Sequence, residues 1–424
     1  MPRRSALPQS LSLSLTFAAF VALLLLFNAY IARRVIRYSS MQRAGRILLG
    51  SILFGSIPLI FLGRLLDDRG IRPLGAWLGA SALVIQVAVL LATALQFALD
   101  LLRMGSKLSR KVLREASARE EASSALETPV EPEPAAEPEP AELWQRREFL
   151  WKSAYGAAWG VGATSALYGA LIGRWECEIV EQVIALEKLP PTLDGLSVVQ
   201  LSDVHFGAFI GDAHIRLAAE HVAQTKPDLV VLTGDLVDHD ASYAPLAGRL
   251  VRKLVPLARY GVVAIVGNHE YYAGLDEVLH ILKRAGAQVL FNTHTKIGDG
   301  GGRLVLAGVD DLWARRLRAG GGPQLDEALR GSDPDRARVL LCHNPAFFPE
   351  AAASVDLQLS GHTHGSQVNF GLRPADLVLP EGYVKGLYRR GGSLLYVNRG
   401  FGTTGPPIRL GSPPEVSRIV LVRG

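Results

Sequence analysis

The chain has 424 residues but only two cysteines, Cys177 and Cys342. Two thiols are too few for a disulfide framework or a thiolate zinc cluster. The second half also lacks a basic excess. Residues 176–424 carry 25 Lys and Arg against 27 Asp and Glu, whereas residues 1–175 carry 20 against 13. The formal charge of +5 therefore originates in the first part. Without a basic footprint on the second, no nucleic-acid partner is expected. Charge is missing altogether from four apolar stretches, residues 11–31, 47–62, 76–99 and 153–173. At 1.5 Å per residue these read as membrane-spanning helices, with 47–62 on the short side.

The charges between the stretches suggest an orientation. Arg33, Arg34, Arg37, Arg43 and Arg46 follow the first stretch, and Arg103, Lys107, Arg110, Lys111 and Arg114 follow the third. Arg146, Arg147 and Lys152 precede the fourth. The best fit puts the N-terminus outside, the segment from Arg103 to Lys152 in the cytoplasm, and the chain after residue 174 on the outer side. The expected location is a bacterial cytoplasmic membrane, with several spans and an extracytoplasmic soluble domain. Residues 115–145 read as an acidic linker containing Glu131-Pro132-Glu133-Pro134 and Glu137-Pro138-Glu139-Pro140. Such a composition buries too little apolar surface to fold, and its prolines favour extended conformations. Arg146-Arg147-Glu148-Phe149-Leu150 resembles a twin-arginine export signal, which would make the export machinery a partner. Positive flanking of a transmembrane helix is the other reading. The expected organisation is a helical transmembrane region over 1–114, the linker over 115–145, a twin-arginine-like segment and fourth helix over 146–174, and a soluble domain over 175–424.

The soluble half carries five short polar blocks. They are Asp203-Val204-His205, Gly234-Asp235, Gly267-Asn268-His269-Glu270, Cys342-His343-Asn344 and Gly361-His362-Thr363-His364, and they hold five of the ten histidines. Each follows a short apolar run, at 196–201, 229–232, 262–266, 339–341 and 357–359. Runs of that length bounded by Gly and polar residues read as buried strands. Open α/β sheets place their sites at the carboxyl ends of such strands. Carboxylates, an amide and imidazoles together suit borderline divalent cations. Strand alternation would put Asp203 and His205 on one side, and likewise His362 and His364.

In this order the blocks resemble the calcineurin-like metallophosphoesterase superfamily, whose pattern is Asp-x-His, Gly-Asp, Gly-Asn-His, His and Gly-His-x-His. The resemblance covers roughly residues 180–424. It implies an α/β fold, a four-layer αββα sandwich, here preceded by the all-α membrane region. It further implies two divalent metal ions, with Mn, Fe, Zn and Co not distinguished. One would be held by Asp203, His205, Asp235 and His364, the other by Asp235, Asn268, His343 and His362. His269 would sit by the leaving group as a general acid. Asp238, Glu270 and Arg399 are weaker candidates for supporting or contacting the site. Asp310-Asp311 is a candidate to orient His343, and Tyr271, Tyr272 and Trp313 are candidates for a cleft wall.

The tail, including Gly365-Ser366-Gln367, Gly386-Leu387-Tyr388 and Tyr396-Val397-Asn398-Arg399-Gly400, resembles a membrane-associated bacterial subgroup. That subgroup contains twin-arginine-exported phosphoesterases and hydrolases of UDP-2,3-diacylglucosamine. Ser366 stands where Gly is more usual. The expected activity is hydrolysis of a phosphodiester or pyrophosphate by a metal-bridging hydroxide, on a phosphorylated substrate that the membrane anchor suggests is lipid-linked. Hydrolysis of UDP-2,3-diacylglucosamine in lipid A synthesis is a narrower alternative. A non-catalytic metal-bound sensor or scaffold is the alternative of another class.

Overall fold

The computed structural model describes residues 9–38, 41–124, 141–300, 302–317, 321–369 and 382–424. The acidic Pro-rich core of the expected linker, residues 125–140, lies outside them. The chain divides into two compact units, Met1–Leu167 and Tyr168–Gly424.

The first unit is helical, with α1 Gln9–Tyr38, α2 Arg43–Asp68, α3 Arg72–Ser124 and α4 Ala141–Tyr168. Among the described residues three segments are long and apolar enough to cross a membrane, Ala18–Tyr38, Arg43–Asp67 and Leu74–Ala118. Helix α3 continues to Ser124 because residues 113–124 are mostly Ala, Leu, Glu and Arg, all strong helix formers. The stretch expected as a fourth span is divided. Residues up to Tyr168 belong to α4, whereas Gly169–Gly173 forms a π-turn within the second unit. There the Gly169 carbonyl accepts from the Arg409 amide at 3.1 Å.

Polar side chains tie the first unit together. Asn28 of α1 donates to Gln86 of α3 at 2.9 Å, and Gln86 donates to Ser56 of α2 at 2.6 Å. Arg34 and Asp100, just beyond the uncharged stretches, form an ion pair that Tyr30 joins at 2.7 Å.

The second unit is built on two six-stranded sheets. One runs β1 (Glu178–Leu186), β12 (Glu415–Arg423), β2 (Leu196–Leu201), β3 (Leu229–Thr233), β4 (Val262–Ile265), β5 (Ala287–Val289). The other runs β10 (Gly386–Arg390), β11 (Ser393–Val397), β9 (Leu357–Ser360), β8 (Arg338–Leu341), β7 (Leu304–Gly308), β6 (Thr293–Ile297). Strands β2 to β5 are parallel, as are β7, β8, β9 and β11, while β12 and β6 join antiparallel.

The central strands are buried on both faces. In β2 and β3, Val198 and Val231 point between the sheets, where they join Leu306, Val339, Leu359 and Ile419. Val199, Leu201, Val230 and Leu232 point outward, to meet Ile215 and Val222 of α5 (Asp212–Gln224) and Leu250 of α6 (Ala244–Leu254). Each such side chain contributes about 1.5–3 kcal/mol when fully buried. Short helices cover the second sheet through Ala328, Phe347 and Ala351. The layers are helix, sheet, sheet, helix, as the resemblance implies. The parallel strands β2, β3, β4, β8 and β9 bring their carboxyl ends, and the five blocks, to one edge.

Candidate metal centre

Five of the block residues leave the strand conformation. Asp203, His205, Asp235, His362 and His364 have φ between 51° and 73°. Strand alternation therefore does not aim them; left-handed backbone just past each strand does. Non-glycine residues pay about 1–3 kcal/mol each for that conformation and keep it only where the surroundings impose it. Close backbone approach adds to the constraint. A Cβ on Gly267 would collide with the Asp235 carboxylate, and one on Gly361 with Ser202 and Asp203.

Among the described residues the side chains converge in three groups. Asp203, His205 and His364 form one donor group and Asp235, His343 and His362 another, while His205, Asp238 and His269 form a third that shares His205 with the first. His205 Nε2 lies 3.0 Å from His364 Nε2, and His364 Nε2 lies 3.5 Å from Asp203 Oδ1. His362 Nδ1 lies 3.2 Å from His343 Nε2. One atom, Asp235 Oδ2, is near the first two groups, 3.7 Å from His205 Nε2 and 3.1 Å from His343 Nε2. Asn268 adds an amide oxygen that is buried and has no hydrogen-bond partner.

Several contacts fix ring orientations. His343 Nδ1 is 2.8 Å from the Thr233 carbonyl, so that nitrogen donates and Nε2 faces Asp235. His269 Nδ1 is 2.8 Å from the Asp238 carbonyl and 3.1 Å from its carboxylate. Asp238 also lies 3.6 Å from His205 Nδ1, so it belongs to the site. Glu270 lies under the turn. Its carboxylate accepts backbone N–H groups from Asp235 at 2.9 Å, Leu236 at 2.7 Å, Val237 at 3.2 Å and Gly267 at 2.7 Å. Arg399 is engaged elsewhere, ion-paired with Glu415 and, at 2.7 Å, with Glu178.

Sequence reasoning missed Arg409. This fully buried guanidinium donates to the carbonyls of Gly402 and Arg399 and reaches within 3.3 Å of His364 Nδ1. It lies in Pro406-Pro407-Ile408-Arg409, which carries no motif. Burial lowers its pKa to about 10.

The electrostatics describe a trap for positive charge. Burial works against an ionised Asp235, yet His343 and His205 hold its carboxyl well below the usual range. Burial raises Asp203. Burial also opposes a charged His343, but Asp235 and Asp203 push its pKa well up. Burial and His343 lower His362 to about 4, and burial and His205 lower His364 well below its usual value. Buried carboxylates that must retain a proton nearby will accept a cation in its place. Oxygen and imidazole donors, and the unpartnered Asn268 oxygen, fit divalent cations.

A calcineurin-like phosphoesterase model matches residues 196–366, which span all five blocks. An uncharacterized metallophosphoesterase of Aquifex aeolicus is 35% identical over 248 residues, covering 58% of this chain and 92% of its own length. The chain belongs to the calcineurin-like metallophosphoesterases. The residues matched lie in its second unit, and the αββα sandwich is that family's scaffold. An uncharacterized metallophosphoesterase of Bacillus subtilis is 31% identical, over 65% of this chain and 97% of that one. A zebrafish transmembrane protein with a metallophosphoesterase domain is 34% identical over 272 residues. The match spans 61% of that relative's length and 62% of this chain.

Proposed function

We propose that this metallophosphoesterase is a membrane-anchored dinuclear-metal hydrolase of phosphodiesters or pyrophosphates. The observation that carries the reading is the place of Asp235 Oδ2 between the two donor groups. One cation would be held by Asp203, His205, Asp235 and His364. The other would be held by Asp235, Asn268, His343 and His362. When bound, two such cations supply a hydroxide-strength nucleophile at neutral pH and offset charge on the phosphoryl oxygens. The donor set suits Mn, Fe, Zn or Co.

The chain's own residues do the rest. Asp238 holds Nδ1 of His269, which leaves Nε2 to carry a proton to the departing oxygen. Burial opposes a charged His269, but without cations at the site Asp238 and Asp235 raise its pKa to about 9, and the Asp238 contact at Nδ1 favours the protonated ring that an acid needs. Glu270 keeps the turns after β3 and β4 in register, and so keeps Asp235 and Asn268 in place.

Three apolar helices support the anchor. We also place α4 across the membrane, with the catalytic unit outside. Residues 149–168 of α4 make about 30 Å of helix, enough to cross if the Lys152 ammonium reaches the interface. The Arg146-Arg147 pair before it is the proposed export signal. A tethered domain meets a lipid headgroup at high effective concentration, which favours a lipid-linked phosphate as substrate.

The test is a substrate panel with full-length, metal-loaded protein. Monoesters, diesters, pyrophosphates and UDP-2,3-diacylglucosamine should separate by at least tenfold in kcat/KM, with a diester or pyrophosphate ahead. Short-chain and long-chain forms of one phosphodiester in liposomes test the lipid reading. Equal rates for the two, with efficient cleavage of soluble nucleotides, would remove it.

A further inference from the structure

Beside the His343–His362 group lies a cavity of about 530 Å³, within the size range of small-molecule sites. Asn268 and His362 form its inner wall, so a molecule in the cavity reaches the proposed metal ligands. Its outer wall carries Tyr272, Asp311, Trp313 and Arg316. Tyr271 takes no part, because its hydroxyl turns away to Asp310.

Three features of the outer wall are unexplained by folding alone. Asp311 is 1% exposed, and its Oδ2 has no hydrogen-bond partner. Its Oδ1 is used locally, accepting the Trp313 amide at 2.8 Å. The Trp313 indole N–H is likewise buried without an acceptor. Arg316 is exposed, stacks 5.0 Å over the Trp313 ring, and makes no ion pair among the described residues. Its neighbour Arg315 is by contrast held by both oxygens of Glu350, at 3.0 and 2.8 Å. Tyr272 and Trp313 meet nearly at right angles, 5.8 Å apart, and make a corner against which a ring can rest.

A buried carboxylate oxygen and a buried N–H without partners cost free energy that a ligand recovers by supplying them. The carboxylate asks for a donor, the indole for an acceptor, and Arg316 for an anion. An acyl chain offers none of these and would leave the two buried groups dry.

We propose that the cavity is the subsite for the organic part of the substrate and that it selects a sugar phosphate. A ring hydroxyl donates to Asp311 Oδ2, the Trp313 N–H donates to a ring or hydroxyl oxygen, and Arg316 takes a phosphoryl charge. This inference rests on the hydrolase reading, because the cavity opens onto that site. Nucleotides and glycolipid headgroups share the chemistry.

The test is isothermal titration of full-length protein, loaded with manganese in detergent, with AMP, glucose 6-phosphate and n-hexyl phosphate. Hydrolysis of bis(p-nitrophenyl) phosphate is followed in parallel and reports on the hydrolase reading by itself. At least one sugar phosphate should bind about tenfold more tightly than hexyl phosphate. Binding of AMP alone points to nucleotides, and binding of glucose 6-phosphate alone or of both points to the sugar itself. Asp311→Asn should abolish the preference, and Arg316→Ala, at an exposed position, should weaken the preferred sugar phosphate about tenfold. Equal binding of hexyl phosphate and both sugar phosphates would overturn the proposal, as would a preference that survives both substitutions. Either result alongside rapid hydrolysis of the diester leaves the hydrolase reading standing.

Discussion

At the residue scale, His269 and Glu270 are adjacent in sequence and opposite in kind. The His269 ring has Nδ1 fixed by Asp238, and it is the backbone N–H, not the ring, that donates to Asp235 Oδ1 at 2.9 Å. His269→Ala should therefore retain the metals and lose about 10²–10⁴-fold in kcat. The loss should be greater for esters with poor leaving groups, and equal losses across a leaving-group series would deny it the role of acid. Glu270 is fully buried and accepts four backbone N–H groups. Glu270→Ala should lower both stability and metal content, because four buried donors lose their acceptor. A buried N–H left without an acceptor costs about 1–3 kcal/mol, so a loss of at least that size is expected. Chemical denaturation checks this, and an unchanged midpoint would count against it. The pair also marks what sequence reveals at this scale. A Gly-Asn-His-Glu block shows which groups gather and points to Glu270 as support for the turn, but not that Asp238, three residues past Gly-Asp, holds His269. Arg409 was hidden for the same reason: a lone Arg between prolines has no spacing that points to His364.

At the scale of elements, the strand ends were legible because each block directly follows an apolar run. The left-handed backbone at Asp203, His205, Asp235, His362 and His364 was not, since only tertiary crowding imposes it. Nor was the pairing of β12 with β1 and β2, which joins residues 415–423 to the start of the domain. Periodicity reads local pattern and carries no information on partners so distant. The entry to α5 shows another such long-range contact. His214 is buried and stacks 4.2 Å from Trp175, with Gly211 N–H donating to its Nδ1. Burial, then Arg174, lower its pKa to about 4. A depressed folded pKa gives stability that is present above the unfolded value of about 6.5 and lost as pH falls towards 4. Unfolding midpoints should fall over that window, and His214→Phe should flatten the fall by up to about 3 kcal/mol. An identical pH profile in the variant would show that His214 contributes nothing to acid sensitivity.

At the scale of the molecule, the division into an apolar helical part and a soluble α/β part follows from charge distribution alone. The three apolar helices match three uncharged stretches, each extended because the flanking residues also favour helix. The fourth stretch was harder to read. Its Gly169–Gly173 end looks apolar in sequence, yet it packs on Ile408 and Arg409 of the catalytic unit. The outward placement of that unit predicts that a reporter fused at residue 424 is active outside the cytoplasm. Arg146→Lys with Arg147→Lys should then block export. A reporter active only in the cytoplasm would overturn the outward placement.

The central claim is that Asp235 serves two cations at once. The most direct test is the metal content of full-length protein purified without chelators, measured together with diester hydrolysis, before and after Asp235→Asn. The account predicts close to two divalent ions per chain, with the variant losing metal and nearly all activity. Retention of both ions and of near-normal turnover by Asp235→Asn would contradict it.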